Sequence, residues 1–217
     1  MSATVRQALP FAPLPGARAS LKPGALYAID GEDGFIYYGQ VTPEKSIGFF
    51  RIRSEVVSIP AALSAQVMSR FLVGYSSIGR AVRSGKWLSL GPHPIHTGLC
   101  DQAATVQWPV GTTEVTIWKG GISIRTTQVH DPDIQDLEII AAYDAEFHVP
   151  ERLRLDYSGS EDAWSVGGSI RRERLKKQAL ARKFPDAPWH QLPPDWVPVE
   201  VRKRRADRYQ DESRIDA

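Results

Sequence analysis

Glycine and proline punctuate this chain from end to end, 17 of one and 16 of the other in 217 residues, and that punctuation constrains the fold more than any single motif. Proline removes a backbone donor and glycine weakens a helix interior, so long helices have little room between them. The pattern predicts many short strands joined by turns, with a few short helices.

The runs between the punctuation marks bear this out at the level of single segments. In PGALYAIDGEDGFIYYGQV, residues 25–29 and 35–41 are β-prone and flank the turn formers Gly31-Glu32-Asp33-Gly34, which predicts a hairpin. A third run over 47–52 and a fourth over 55–59, ahead of Pro60, extend it into a meander resembling a small, strongly bent barrel. Residues 61–73 lack Gly and Pro and carry Leu63, Val67 and Phe71 every four positions, the spacing of an amphipathic helix, with a strand as the alternative around 71–75. Trp87-Leu88-Ser89-Leu90 between Gly85 and Gly91 reads as a strand. The clearest hairpin spans 113–127, where 114–118 and 122–126 alternate around Lys119-Gly120-Gly121.

Asp131-Pro132 is a helix start, since Asp accepts free backbone N–H groups and Pro suits the first helical position. Ile134, Leu137 and Ala141 continue it as one apolar stripe, and a second short helix begins at Pro150 with Leu153 and Tyr157. A loop over 158–168 precedes a charged helix over 170–184 and an extended Pro-rich segment. The fold class expected is α+β and mostly β: a bent antiparallel sheet or small barrel-like meander with a few short helices. A Pro-rich arm (1–20), packing through Leu9, Phe11 and Leu14, precedes the β-rich domain (21–168), and a basic helical or extended C-terminal extension (169–217) follows it.

Composition matters here for what it excludes. Hydrophobic residues at 42% and charged residues at 24% are ordinary for a globular chain. The lone Cys100 rules out an internal disulfide and fits a reducing compartment. Prolines and Gly16 interrupt any apolar core near the start, and no stretch approaches a membrane span. A soluble, cytoplasmic protein with no membrane partner is therefore expected.

Several constellations have a chemical and a bland reading. His93, His96 and Cys100 sit close enough for a soft metal site, but a structural zinc site needs a fourth ligand and usually a second paired cluster. Turn and cap roles account for them equally well. Cys100 beside a histidine and Asp101 has the elements of a thiol nucleophile, against which stands its reading as a small buried hydrophobe. His130, Asp131 and Asp133 are acidic enough for a divalent cation, yet Asp131 is explained as a cap. Glu114, Glu138 and Glu146 are acid–base candidates, two of them on an apparent helix face where solvated carboxylates are normal. No nucleophile elbow, phosphate-binding loop, dinucleotide fingerprint or zinc-protease helix occurs. The expectation is no catalytic residue, no metal and no cofactor.

The tail has its own character. From residue 170 onward it carries 13 Lys and Arg against 8 Asp and Glu. Arg171, Arg172, Arg174, Lys176, Lys177 and the run 202–205 have the charge to neutralise phosphates, as a nucleic-acid partner would require, while interspersed acids favour a solvated helix face. Trp164, Trp189 and Trp196 are candidate anchors, across the domain or onto a partner.

Three segments in order, PGALYAIDGEDGFIYYGQV, SGKWLSLG and DLEIIAAYDAEFHVPERLRLDYSG, resemble the Imm26 family of bacterial polymorphic-toxin immunity proteins. The matching positions are Gly39, Trp87, Leu137, Glu138, His148, Val149, Arg152, Leu153, Tyr157 and Gly159, over about residues 20–165. The proline-rich start and the basic tail have no counterpart in the pattern. The resemblance implies a mostly β domain that binds a cognate protein toxin and blocks its active site or substrate groove, with no catalysis of its own. Two rivals come from the residues themselves. One is a nucleic-acid-associated regulator with an SH3-like meander and a phosphate-gripping tail. The other is an enzyme of unrecognised type, for which a deep pocket lined by His93, His96 and an acid would speak.

Overall fold

The computed structural model describes residues 10–161 and 167–200. The fold is α+β and mostly strand, two sheets of six and four strands with a few short helices. It opens with the expected meander. β1 (Ala25–Asp30), β2 (Ile36–Val41) and β3 (Ile47–Phe50) lie side by side and antiparallel. Both faces of these strands are buried, which is why they read as near-continuous apolar runs. Side chains alternate between two cores: Tyr27, Ile29, Ile47 and Phe49 enter one, Leu26, Ala28, Ile36, Tyr38 and Phe50 the other.

Helix α1 (Ile59–Ser64), strand β4 (Val67–Val73), helix α2 (Tyr75–Ser84) and strand β5 (Trp87–Pro92) follow. β4 joins the free side of β3, and α2 packs Ile78, Ala81 and Val82 into the first core while the chain returns so that β5 lies antiparallel to β1. Ala62 of α1, Leu99 and Phe11 of the arm close the second core.

The smaller sheet holds β6 (Ala104–Gln107), β7 (Glu114–Lys119), β8 (Ile122–Gln128) and β9 (Glu138–Ile139), in the order β8-β7-β6-β9. The β7–β8 hairpin turns at Gly120 and Gly121, as the alternation predicts. β10 (Ala142–Tyr143) pairs parallel with β4 and so belongs to the larger sheet. Helix α3 (His148–Ser158) seals the first core with Val149 and Leu153. Helix α4 (Ile170–Lys183), capped by Ser169, covers the smaller sheet, where Ile170 meets Val106, Val115 and Ile117. Beyond it the chain is largely irregular to residue 200, and Trp196 stacks on Trp108 at 6.1 Å while donating to Gln178.

Three expectations are corrected. Residues 61–73 are not one helix: α1 ends at Ser64 and 67–73 is β4. A spacing of four satisfies a period of two as well as one of 3.6, and the open edge of β3 selects the strand. Residues 55–59 make no fourth strand. Only Ser54 bridges to Ile36, after which the chain bends toward Pro60 at the start of α1. Asp131-Pro132 begins a single 3-10 turn, Pro132–Ile134, rather than a helix reaching Ala141, because β9 finds parallel pairing with β6. Glu138 therefore stands on a strand and Glu146 in a turn, neither on a helix face. Helix α2 lies where the sequence pattern predicts no helix.

No helix among the described residues is long and apolar enough to cross a membrane.

Candidate functional site

The stretch 138–143 crosses from one sheet to the other. β9 lies beside β6, four residues later β10 lies beside β4, and backbone bonds Ile140 N–H to Val106 O and Gly74 N–H to Tyr143 O secure each end. Glu138 shares the face of the smaller sheet that bears Thr105, and there it meets Arg152 of α3. The guanidinium is bidentate, Nη1 to Oε1 at 3.0 Å and Nη2 to Oε2 at 2.8 Å. Arg152 Nε also donates to both oxygens of Asp156, one turn on. Asp156 in turn accepts from Arg172 of α4 at 2.8 Å. Tyr143 donates its hydroxyl to Glu138, and the Arg152 guanidinium lies over the Phe71 ring at 4.8 Å. This one network ties together both sheets and both C-terminal helices.

The Arg152 side chain is 3% exposed. Burial alone would lower its pKa, but the hydrogen bonds and charge of Glu138, with Asp156 and Tyr143, outweigh it and hold the group above its ordinary value. Burial likewise pushes the Tyr143 phenol up to about 12, helped by the Glu138 charge. It does the same to Tyr37, against an opposing hydrogen bond from Arg53. Both folded-state values lie above the unfolded value of 10.0. The stability they contribute is therefore fully present below the unfolded value and lost as pH rises through the folded one. The urea midpoint should hold steady up to about pH 10 and fall toward about pH 12. Native phenolate absorbance should show at least two tyrosines, Tyr37 and Tyr143, ionising at the upper end, and ordinary ionisation of every tyrosine would contradict this.

Two cavities, each of about 430 Å³, open between the sheets. Arg70 and Glu138 line both. The first is the more polar of the two and is bounded by Ser69, Asp156, Arg171 and Arg172. The second is more apolar, lined by Phe71, Leu72, Trp118, Ile140 and Glu44. Leu72 and Ile140 remain 41% and 44% exposed. Arg70 Nη1 contacts Glu44 Oε1 at 3.1 Å and donates to the Asp101 carbonyl. Arg70 Nη2, Glu44 Oε2 and Ser69 Oγ are buried with no hydrogen-bond partner in the protein.

The residues singled out from sequence do not converge on this cleft as a set. Glu138 lines both cavities and Arg152 the first. Gly39 is a packing position on β2, where a Cβ would lie 2.8 Å from Ile47 Cγ2 and 2.9 Å from Phe49 Cδ1. Trp87 is 1% exposed, donates its indole N–H to Ala145 O at 3.1 Å and sits 5.5 Å from the Tyr27 ring. His148 begins α3, its Nδ1 accepting from Asp144 N–H. Tyr157 packs edge-on to Tyr37 with Arg53 over its ring. Gly159 ends α3 at φ 68°, a conformation that suits glycine. Trp164 and the run 202–205 lie outside the described residues.

Several of the candidate chemical groups have structural partners. His93 shares a ring hydrogen bond with Leu90 O, and His96 Nδ1 accepts from Gly98 N–H. Asp131 accepts from Asp133 N–H, Thr127 and Arg125, and these bonds hold its carboxyl below the usual range. Glu146 accepts from Arg80 and Ser84. Cys100 is exposed. Among the described residues no three His, Cys, Asp or Glu side chains gather as a metal site. On α4, Arg171 binds Glu161 and Glu200 O, Arg172 binds Asp156, and Arg174 binds Gln135 and Val197 O.

Sequence reasoning missed Arg70, Glu44 and Trp118. A signal existed for Trp118, an aromatic on the strand face opposite Val115 and Ile117. Comparison with family models, with curated proteins and with solved structures finds no match to the chain.

Proposed function

We propose that this chain is an immunity-type protein that neutralises a cognate bacterial toxin in the cytoplasm by binding it, presenting the cleft between its sheets. The observation that carries the reading is the apolar cavity: Leu72 and Ile140 stay substantially exposed beside Trp118 around about 430 Å³ of space. Clustered, partly exposed apolar and aromatic side chains with a few placed polar groups are what a protein interface uses for its central anchors. Of the titratable side chains that sequence put forward for catalysis, His93, His96, Asp131, Glu138 and Glu146 are engaged in caps, turns and ion pairs, which favours recognition over chemistry. The order of the three Imm26-like segments supplies the class of partner.

A phosphate-binding tail draws less support, because Arg171, Arg172 and Arg174 already hold acceptors within the protein. A nucleic-acid module instead turns such cations outward.

Co-expression with the toxin encoded by the adjacent gene tests the proposal. Cells should survive with the intact chain and die without it. Survival that is the same with and without this protein would sink the reading.

A further inference from the structure

Beyond α4 the chain comes back across the helix, and residues 195–200 lie between it and Trp108 as a peptide lies in a groove. Arg171, Arg174 and Gln178, spaced to share one face of α4, all bond to the main chain of this segment. Arg171 donates to Glu200 O at 2.6 Å and Arg174 to Val197 O at 2.7 Å. The Gln178 carboxamide takes both main-chain groups of Val199, accepting from its N–H at 2.5 Å and donating to its O at 3.0 Å. Two side chains are read as well. Trp196 stacks on Trp108 and donates to Gln178, and Val199 is buried. Main-chain bonds of this kind give affinity for an extended segment, and seats for particular side chains give selectivity.

The groove is imperfectly closed by its own chain. Arg174 is 4% exposed, its Nε is buried with no hydrogen-bond partner in the protein, and burial and then the like charge of Arg171 lower its pKa. Burying a cation without a counter-charge costs free energy. Closing the segment over Arg174 therefore offsets part of what its apolar contacts contribute. The connection back to α4, residues 184–194, bonds locally, Ala187 N–H to Phe184 O and His190 N–H to Ala187 O. It holds Pro185, Pro188, Pro193 and Pro194, which have no N–H to give, and it leaves Phe184 and Trp189 exposed.

We infer that this groove is a peptide-binding site, closed in cis by residues 195–200. Its ligand in trans is an extended segment of a protein partner, with an aromatic residue for Trp108 and, three positions on, an aliphatic residue whose main chain Gln178 reads. The occupant already seated there, Trp196 and Val199, defines that chemistry. A ligand enters only when the cis segment leaves, so the segment gates the site. A short tether holds it at a roughly millimolar effective concentration. It therefore excludes weak ligands and yields to tight ones. The inference stands whether or not the partner is a toxin.

The probe is a capped peptide of the chain's own residues 193–200, PPDWVPVE, with a scrambled peptide of the same composition as control. In the intact full chain it meets an occupied groove. In a full-length Trp196→Ala variant the cis segment loses its aromatic anchor. The peptide should bind that variant at least about tenfold more tightly than it binds the parent, and the scrambled peptide should not. Adding Gln178→Ala should remove the gain. Amide exchange in the parent gives a second reading that needs no variant. The Val199 N–H should exchange through local opening, far faster than the amides paired between β6 and β7. No gain in Trp196→Ala, an equal response to the scrambled peptide, a gain that survives Gln178→Ala, or a Val199 amide as protected as those of β6 and β7 would each overturn the inference.

Discussion

Replacing Arg152 by alanine should cost the protein about 3–5 kcal/mol of stability, because removing one member of a buried ion pair leaves its partners charged and unpaired. Glu138 would keep only the Tyr143 hydroxyl, and Asp156 only Arg172 and its local contacts. The Phe71 ring would also lose the guanidinium above it. Urea denaturation should register the loss as a lower midpoint with little change in slope. Arg152→Met combined with Glu138→Leu should sit closer to the parent than Arg152→Ala alone, since apolar replacement of both partners avoids the orphaned charge. A cost for Arg152→Ala below about 1 kcal/mol would mean the network is solvated rather than buried.

Trp87→Ala should be comparably damaging, at about 3–5 kcal/mol, since a large buried ring leaves a cavity that its surroundings fill only in part. The ring touches Tyr27 across β1, and its N–H is the donor to Ala145 O in a buried contact. Phenylalanine at this position should recover much of the packing but leave that carbonyl unpaired, at about 1–3 kcal/mol. The same denaturation series measures both variants. A Trp87→Phe protein as unstable as the alanine variant would show that the hydrogen bond, not the ring, dominates.

These two residues also show how much was legible. Trp87 stood out because glycines bracket a short apolar strand, and the structure buries it. The β1–β2 and β7–β8 hairpins were legible for the same reason: alternation and turn chemistry are local and confined to a dozen or so residues. The spacing over 61–73 does not reveal β4 because its decisive partner, β3, is not local. The sequence alone puts Glu138 on a helix, since the Asp131 cap signal is real and only the tertiary pairing of β9 with β6 cuts the helix short. Arg152 and Asp156 were one helical turn apart in plain view, a spacing that pairs side chains on one face. Arg70 was invisible as a site residue. Its contacts are Glu44 in the turn after β2 and Asp101 before β6, and nothing in the sequence around it marks either one.

The cleft exists only while the two sheets hold their relative position, and the claim that Glu138 and Arg152 act as the clasp between them is open to a direct measurement. A double-mutant cycle of Glu138→Ala, Arg152→Ala and the pair together, followed by urea unfolding, isolates their coupling from the rest of the network. The account predicts a coupling of about 2 kcal/mol or more, so that the second substitution costs far less once the first is made. Simple additivity, with a coupling below about 0.5 kcal/mol, would contradict it.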